Sequence, residues 1–201
     1  MSTLKVDTIL KRTGTGTITL GQSGDTIALG SGASQTGFGV SGVSSSSSST
    51  AISIDSSGHV TMPLQPAFLT YVSSTQNVDS TNTTEINFDT EVFDLNSDYN
   101  TSTKRFTAPV TGKYMLHAMA RVVNADGNTG GHYVQTQIVT SNRTYTVISG
   151  VSLTYWNINN SVLADMDAND TAYVQIKSSS DTSWSVGGGE NDSRFCGYLV
   201  A

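Results

Sequence analysis

The 201-residue chain has one cysteine, Cys196, and three prolines, Pro63, Pro66 and Pro109. A lone thiol excludes an intrachain disulfide, so packing or association must hold the fold. It also excludes a cysteine zinc cluster. The three histidines, His59, His117 and His132, show no His-x-His or His-x-x-x-His spacing that would replace one. Charged residues make up 13% of the chain and hydrophobic residues 36%. That is too little apolar material for a large helical core, and no ten-residue window keeps a helical period. No apolar run approaches the roughly 20 residues that cross a bilayer as a helix. Met1-Ser2-Thr3-Leu4-Lys5-Val6 has neither a basic start nor an apolar centre, so the expectation is synthesis in the cytosol without a signal peptide. Catalytic signatures are missing as well. There is no Gly-x-Ser-x-Gly elbow and no phosphate loop, and Gly187-Gly188-Gly189 reads as a loop before the last strand. The expectation is a protein that is not an enzyme and has no cofactor.

Charge is scarce on one side of the chain. Residues 1–65 balance to zero, while residues 66–201 hold seven basic and thirteen acidic residues and carry the whole −6. An acidic C-terminal part without a basic patch argues against nucleic acid as a partner. Net acidity of this size speaks first to solubility.

What is present is repetition, serine and short β-branched runs. Thr8-Ile9, Thr17-Ile18 and Thr26-Ile27 recur every nine residues, as do Leu20-Gly21, Leu29-Gly30 and Phe38-Gly39. Each unit is a short strand and a glycine turn, too small to bury a core alone. Residues 1–40 are therefore either a shaft stacked along or across chains, or two ordinary hairpins. Residues 41–65 begin with a serine-rich linker, followed by a neck. In the neck, Ala51–Asp55 and His59–Met62 flank the turn Ser56-Ser57-Gly58, a hairpin signal. From residue 66 onward, period-2 segments alternate with polar turns. Strands are expected near 67–72, 84–88, 104–107, 113–123, 132–139, 144–149, 151–157, 161–165, 171–177 and 194–200. Such a succession means an all-β sandwich or jelly roll.

The most informative stretch is Phe106-Thr107-Ala108-Pro109-Val110-Thr111-Gly112-Lys113-Tyr114. Proline ends one strand, glycine tolerates turn dihedrals, and an aromatic opens the next strand. Around it stand Ala67-Phe68, Ile86-Asn87-Phe88-Asp89, Tyr99-Asn100, a Leu163–Val174 hairpin with Asn169-Asp170 at its turn, and Phe195-Cys196-Gly197-Tyr198-Leu199. Together these residues resemble the C1q/tumour-necrosis-factor-like jelly roll across 66–201. The resemblance implies a core motif of Phe68, Phe106, Pro109, Gly112, Tyr114, Phe195, Gly197 and Leu199. Asn169 stands where glycine is usual in the family, which still permits a left-handed turn residue. No collagen-like stalk is present. The opening Ser2–Ile9 and the Gly-Thr-Ile-Thr-Leu-Gly that follows are similar to the starts of phage virion fibre proteins.

Alternation along residues 113–123 puts Tyr114, Leu116, Ala118, Ala120 and Val122 on one face, and Met115, His117, Met119, Arg121 and Val123 on the other. The second face is also rather apolar, which is unusual for a solvated sheet. The family packs this sheet around a threefold axis. The resemblance therefore implies a homotrimer interface lined by Met115, His117, Met119, Cys196 and Tyr198. A monomer with an exposed apolar patch is the competing reading.

Tyr145, Tyr155, Trp156 and Trp184 lie on or beside loops and strand ends, where Trp and Tyr suit sugar or protein recognition. The tryptophans could equally fill the sandwich. Asp165, Asp167 and Asp170 share one turn and form a weak calcium prompt, with a polar hairpin tip as the plainer reading. The acidic run Asp89, Glu91, Asp94 and Asp98 reads as a solvated loop. These features lead to a homotrimeric phage virion fibre on the exterior of tail or capsid. Another virion protein would hold residues 1–40, and the head would meet a host surface glycan or protein. A capsid decoration or head fibre, or a bacterial C1q-like surface adhesin, are the alternatives.

Overall fold

Strict alternation along residues 112–123 becomes the central strand of an all-β sandwich. The computed structural model describes residues 49–79, 82–123, 133–150, 155–179 and 184–201, all within the unit Ser47–Ala201. The nine-residue repeats, most of the serine run, the turn at 124–128 and His132 lie outside the described residues.

Fifteen strands and no helix occur among the described residues. They are β1 (Ser53–Ile54), β2 (Val60–Thr61), β3 (Ala67–Tyr71), β4 (Gln76–Val78), β5 (Thr84–Glu85), β6 (Thr90–Asp94), β7 (Tyr99–Asn100), β8 (Arg105–Thr107), β9 (Gly112–Val123), β10 (Tyr133–Thr140), β11 (Thr144–Gly150), β12 (Tyr155–Met166), β13 (Thr171–Ser178), β14 (Trp184–Val186) and β15 (Arg194–Leu199). One sheet runs β11-β10-β13-β8-β7, with β5 added beside β13. The other runs β4-β14-β9-β15-β3-β6, with β12 along the free side of β9. β1 and β2 form the expected neck hairpin, with Asp55 Oδ1 accepting hydrogen bonds from the backbone of Ser57 and His59 to set its turn.

The core lies between the sheets. Tyr114, Leu116, Ala118, Ala120 and Val122 are fully buried, facing Val134 and Ile138 of β10 and Ala172, Val174 and Ile176 of β13. Phe68 stacks on Phe106 at 4.8 Å and on Tyr99 at 5.2 Å, and meets Phe195 edge-on at 5.1 Å. Three segments far apart in sequence thus close one aromatic cluster.

The Phe106–Tyr114 corner is a turn between strands, held by Tyr114 Oη, which donates to the Val110 carbonyl at 2.7 Å. Its glycine serves a different purpose from the one expected. Gly112 is not among the positive-φ residues. A Cβ there would lie 2.6 Å from the Ala201 carbonyl oxygen and 2.7 Å from Leu199 Cδ1. Close approach of the chain end, rather than turn geometry, excludes a side chain. Gly197 behaves alike: its Cβ would meet Leu116 Cδ2 at 2.6 Å and Phe68 Cε1 at 2.9 Å.

Residues 155–166 form one strand, where the sequence suggested a break near Asn159-Asn160. Asn160 is buried but satisfied, donating from Nδ2 to the carbonyls of Tyr145 (2.9 Å) and Thr136 (3.2 Å), so a polar pair need not end the strand. The short strands β4, β6, β7 and β14 carried too little alternation to be legible. Asn169 does adopt φ 74°. Asn169→Val should cost about 1–2 kcal/mol, because a β-branched residue is strained there; chemical denaturation of the two proteins checks this.

Candidate functional site

Cross-strand register arranges the outward side chains of the seven-stranded sheet into rows. Leu163, Met115 and Tyr198 lie opposite one another across β12, β9 and β15. The next row is Ser161, His117 and Cys196, continued by Leu69 of β3 and Phe93 of β6. Then come Asn159, Met119, Arg194 and Tyr71. Last, at the end of β9 far from Gly112, come Asn157 and Arg121. The face is apolar over its first rows and polar at its last. Leu163 and Tyr198 are 53% and 51% exposed, although both are large and apolar in body.

The opposite outer face has a different character. Gln137 bonds to Gln175 at 2.6 Å and to Thr146 at 3.2 Å. Arg105 pairs with Glu85 at 2.9 Å and lies 4.2 Å from the centre of the Tyr173 ring. That sheet exposes Ile148 among polar side chains, whereas the seven-stranded one sets its apolar residues in adjoining rows.

All five residues expected at an interface, Met115, His117, Met119, Cys196 and Tyr198, share this one face. His117 Nδ1 lies 2.6 Å from Ser161 Oγ. Burial, and secondarily the Arg194 charge, hold its imidazole below the ordinary range. Burial pushes the Cys196 thiol up, so it is a poor nucleophile. Eight core-motif residues were expected: Phe68, Phe106, Tyr114, Phe195 and Gly197 are buried, Leu199 and Gly112 are partly buried, and Pro109 is exposed at the corner.

The four aromatic candidates separate. Trp184 is 2% exposed. It fills the sandwich and leaves the set of contact residues, because β14 lies against β9 and β4. Tyr145 and Trp156 are partly buried against the core. Tyr155 is 56% exposed. It borders a polar cleft of about 270 Å³, shared with Arg121, Trp156, Asn157, Asn191 and Asp192. Arg121 pairs there with Asp192 at 2.5 Å, and its guanidinium lies 5.4 Å from the centre of the Tyr155 ring. Sequence alone missed the contribution of Arg121 and the 187–193 loop, since nothing in their spelling links them.

The aspartates of the 165–170 turn do not converge on a cation site. Asp165 pairs with Lys113, which holds its carboxyl below the usual range. Asp170 Oδ2 accepts from the Asp167 backbone at 2.8 Å and from Asn142 Nδ2 at 2.7 Å. Among the described residues no group of three or more acidic, His or Cys side chains could hold a metal ion. The run Asp89 to Asp98 is more structural than a solvated loop. Asp89 holds Ser73, Asp94 caps the backbone of Asp98 and Tyr99, and residues 90–94 are strand β6.

Three solved structures are similar in fold. Murine APRIL matches with TM-score 0.50 and 11% identity, covering 68% of this chain and 99% of its own. The Eiger TNF of S. frugiperda matches with TM-score 0.50 and 9% identity, covering 68% and 93%. The globular domain of zebrafish complement 1qA protein matches with TM-score 0.49 and 16% identity, covering 68% and 98%. No curated protein matches the chain. The C1q domain family matches residues 67–200, two thirds of the chain and the whole of the sandwich, and the chain belongs to that family.

Proposed function

We propose that the chain is a homotrimeric virion fibre protein of a phage, whose C1q head meets a host surface glycan or protein. The observation that carries the reading is the contrast between the two outer faces. One face is mostly polar and internally hydrogen-bonded, with Ile148 exposed on it; the other sets Met115, Leu163, Tyr198, Leu69 and Phe93 in adjoining rows. Burying such a face among three copies removes apolar surface worth roughly 25 cal/mol per Å² from water. Three heads on one axis present three sites together, which raises avidity by orders of magnitude when all can engage. The virion part of the reading rests on the opening Ser2–Ile9 and the Gly-Thr-Ile-Thr-Leu-Gly that follows, which are similar to the starts of phage virion fibre proteins. In this arrangement residues 1–40 hold the fibre to another virion protein.

Imaging of intact particles with a label on this chain tests the reading. Label on tail or capsid exterior is the expected result; particles without label contradict it. Binding of the full chain to host cells then separates a receptor binder from a decoration protein.

The same interface makes a pH prediction. A histidine whose folded value is lowered stays neutral in the folded chain, while the unfolded chain takes up a proton below about pH 6.5. Stability from His117 is therefore present above that pH and lost as pH falls below it. The melting temperature should decline between pH 7 and 5.5, above the range where most carboxylates titrate. His117→Gln should flatten the decline; an equal slope in both proteins removes His117 from the account.

A further inference from the structure

We propose that the cleft formed by Arg121, Tyr155, Asn157, Asn191 and Asp192 is a binding subsite for one neutral pyranose unit of a surface glycan. The inference rests on the receptor-binding reading above, and gives that reading a place and a ligand class.

The chemistry of the lining selects a sugar. Arg121 and Asp192 neutralise one another at 2.5 Å, so the cleft offers fixed donors and acceptors without a net charge for a phosphate or carboxylate. The Asn157 and Asn191 amides each donate and accept. Sugar hydroxyls, which also do both, match such a set better than a purely anionic or purely apolar ligand does. The exposed Tyr155 ring supplies the remaining element, an aromatic surface for the C–H side of a pyranose. At about 270 Å³ the cleft falls near the lower end of small-molecule sites, which suits one ring rather than an extended chain.

The site is also built before any ligand arrives. The Arg121 stem packs over Gly187, where a Cβ would lie 3.1 Å from Arg121 Cδ. The Gly187 N–H donates to the Arg121 carbonyl at 2.8 Å. The Arg121 N–H donates to Ser193 Oγ at 3.0 Å, and the Ser193 hydroxyl donates to the Gly187 carbonyl at 2.7 Å. Ser193 is fully buried. Glycine at 187 and serine at 193 thus pin the guanidinium and the loop carrying Asn191 and Asp192. Such preorganisation lowers the ordering cost of binding.

Position favours contact with a host surface. Tyr155 pairs with Val123 at one end of β9, while Gly112 at the other end lies beside Ala201 and the neck. The cleft is therefore at the end away from Gln65 and Pro66, both hydrogen-bonded to Leu199. A trimer that closes on the apolar rows leaves this polar row at the rim.

The test uses the full chain and three probes: methyl β-galactoside, methyl β-glucoside and methyl α-mannoside. Titration by NMR should give binding of at least one, with Kd on the order of 1–10 mM. Tyr155→Ala and Asn157→Ala should each weaken it at least about tenfold without changing solution mass or melting temperature. No binding of any probe up to about 100 mM, or binding that survives both substitutions, overturns the subsite. Host-cell adhesion measured alongside keeps the two readings apart. Equal adhesion by wild type and Tyr155→Ala overturns the subsite and leaves receptor binding standing. Adhesion destroyed by protease but not by periodate treatment of the cells overturns a sugar ligand. Absence of adhesion by wild type, with hexoside binding intact, supports the subsite and removes host attachment.

Discussion

Phe68→Ala is expected to cost the head about 3–5 kcal/mol, the usual range for deleting a buried aromatic. Phe68 is 1% exposed and belongs to the seven-stranded sheet through β3. Its ring lies against Tyr99 of β7 and Phe106 of β8 in the six-stranded sheet, and against Phe195 of β15. It is therefore a link between layers, and the cavity left by alanine is framed by two sheets that cannot easily collapse. Gly197 shows how tightly the site is filled, since even a methyl group there would come within 2.9 Å of the Phe68 ring. Against a typical total of 5–15 kcal/mol, the loss is severe. Urea unfolding followed by fluorescence of the buried Trp184 should register it as a lower midpoint with an unchanged slope. A loss below about 1 kcal/mol would mean that the aromatic cluster is not the centre of the fold.

Met115→Glu has the second large expected effect, and it falls on assembly rather than folding. Met115 lies between Leu163 and Tyr198 on the outer face. A carboxylate placed there stays hydrated in a free chain, but would be buried without a partner among three copies. An uncompensated buried charge costs several kcal/mol, and the three copies add to one another. The expected result is a fall in solution mass to one chain, with the β-rich circular dichroism spectrum retained. Thr146→Glu, on the exposed outer side of β11, is the control and should leave the mass unchanged. Equal masses for Met115→Glu and wild type would place the contact elsewhere.

How far the sequence could be read follows from where the information sits. Strand β9 was legible to within a residue because its alternation runs unbroken from Lys113 to Val123. The aromatic motifs at Phe68, Phe106 and Phe195 announced the fold because residues that must meet in one cluster are constrained in kind. The resemblance put Asn169 at a glycine position, and its φ of 74° agrees with a left-handed turn residue there. Other features depend on partners distant in sequence, and these were not legible. Gly112 looked like a turn glycine, yet the chain end at Ala201 decides it. Asn160 looked like a strand break, yet two carbonyls from neighbouring strands satisfy it. Trp184 could be read equally as a surface contact or as part of the core, and its burial decides for the core. Its burial follows from the pairing of β14 with β9, which a three-residue strand does not advertise. The distal cleft joins β9, β12 and the 187–193 loop, and no local pattern connects them.

The central claim is that the apolar outer face of the seven-stranded sheet closes around a threefold axis. The mass of the full chain in solution tests it most directly, by light scattering after size exclusion or by native mass spectrometry at pH 7.5. The account predicts three times the 21.2 kDa of one chain. A single-chain mass at micromolar concentration would contradict it.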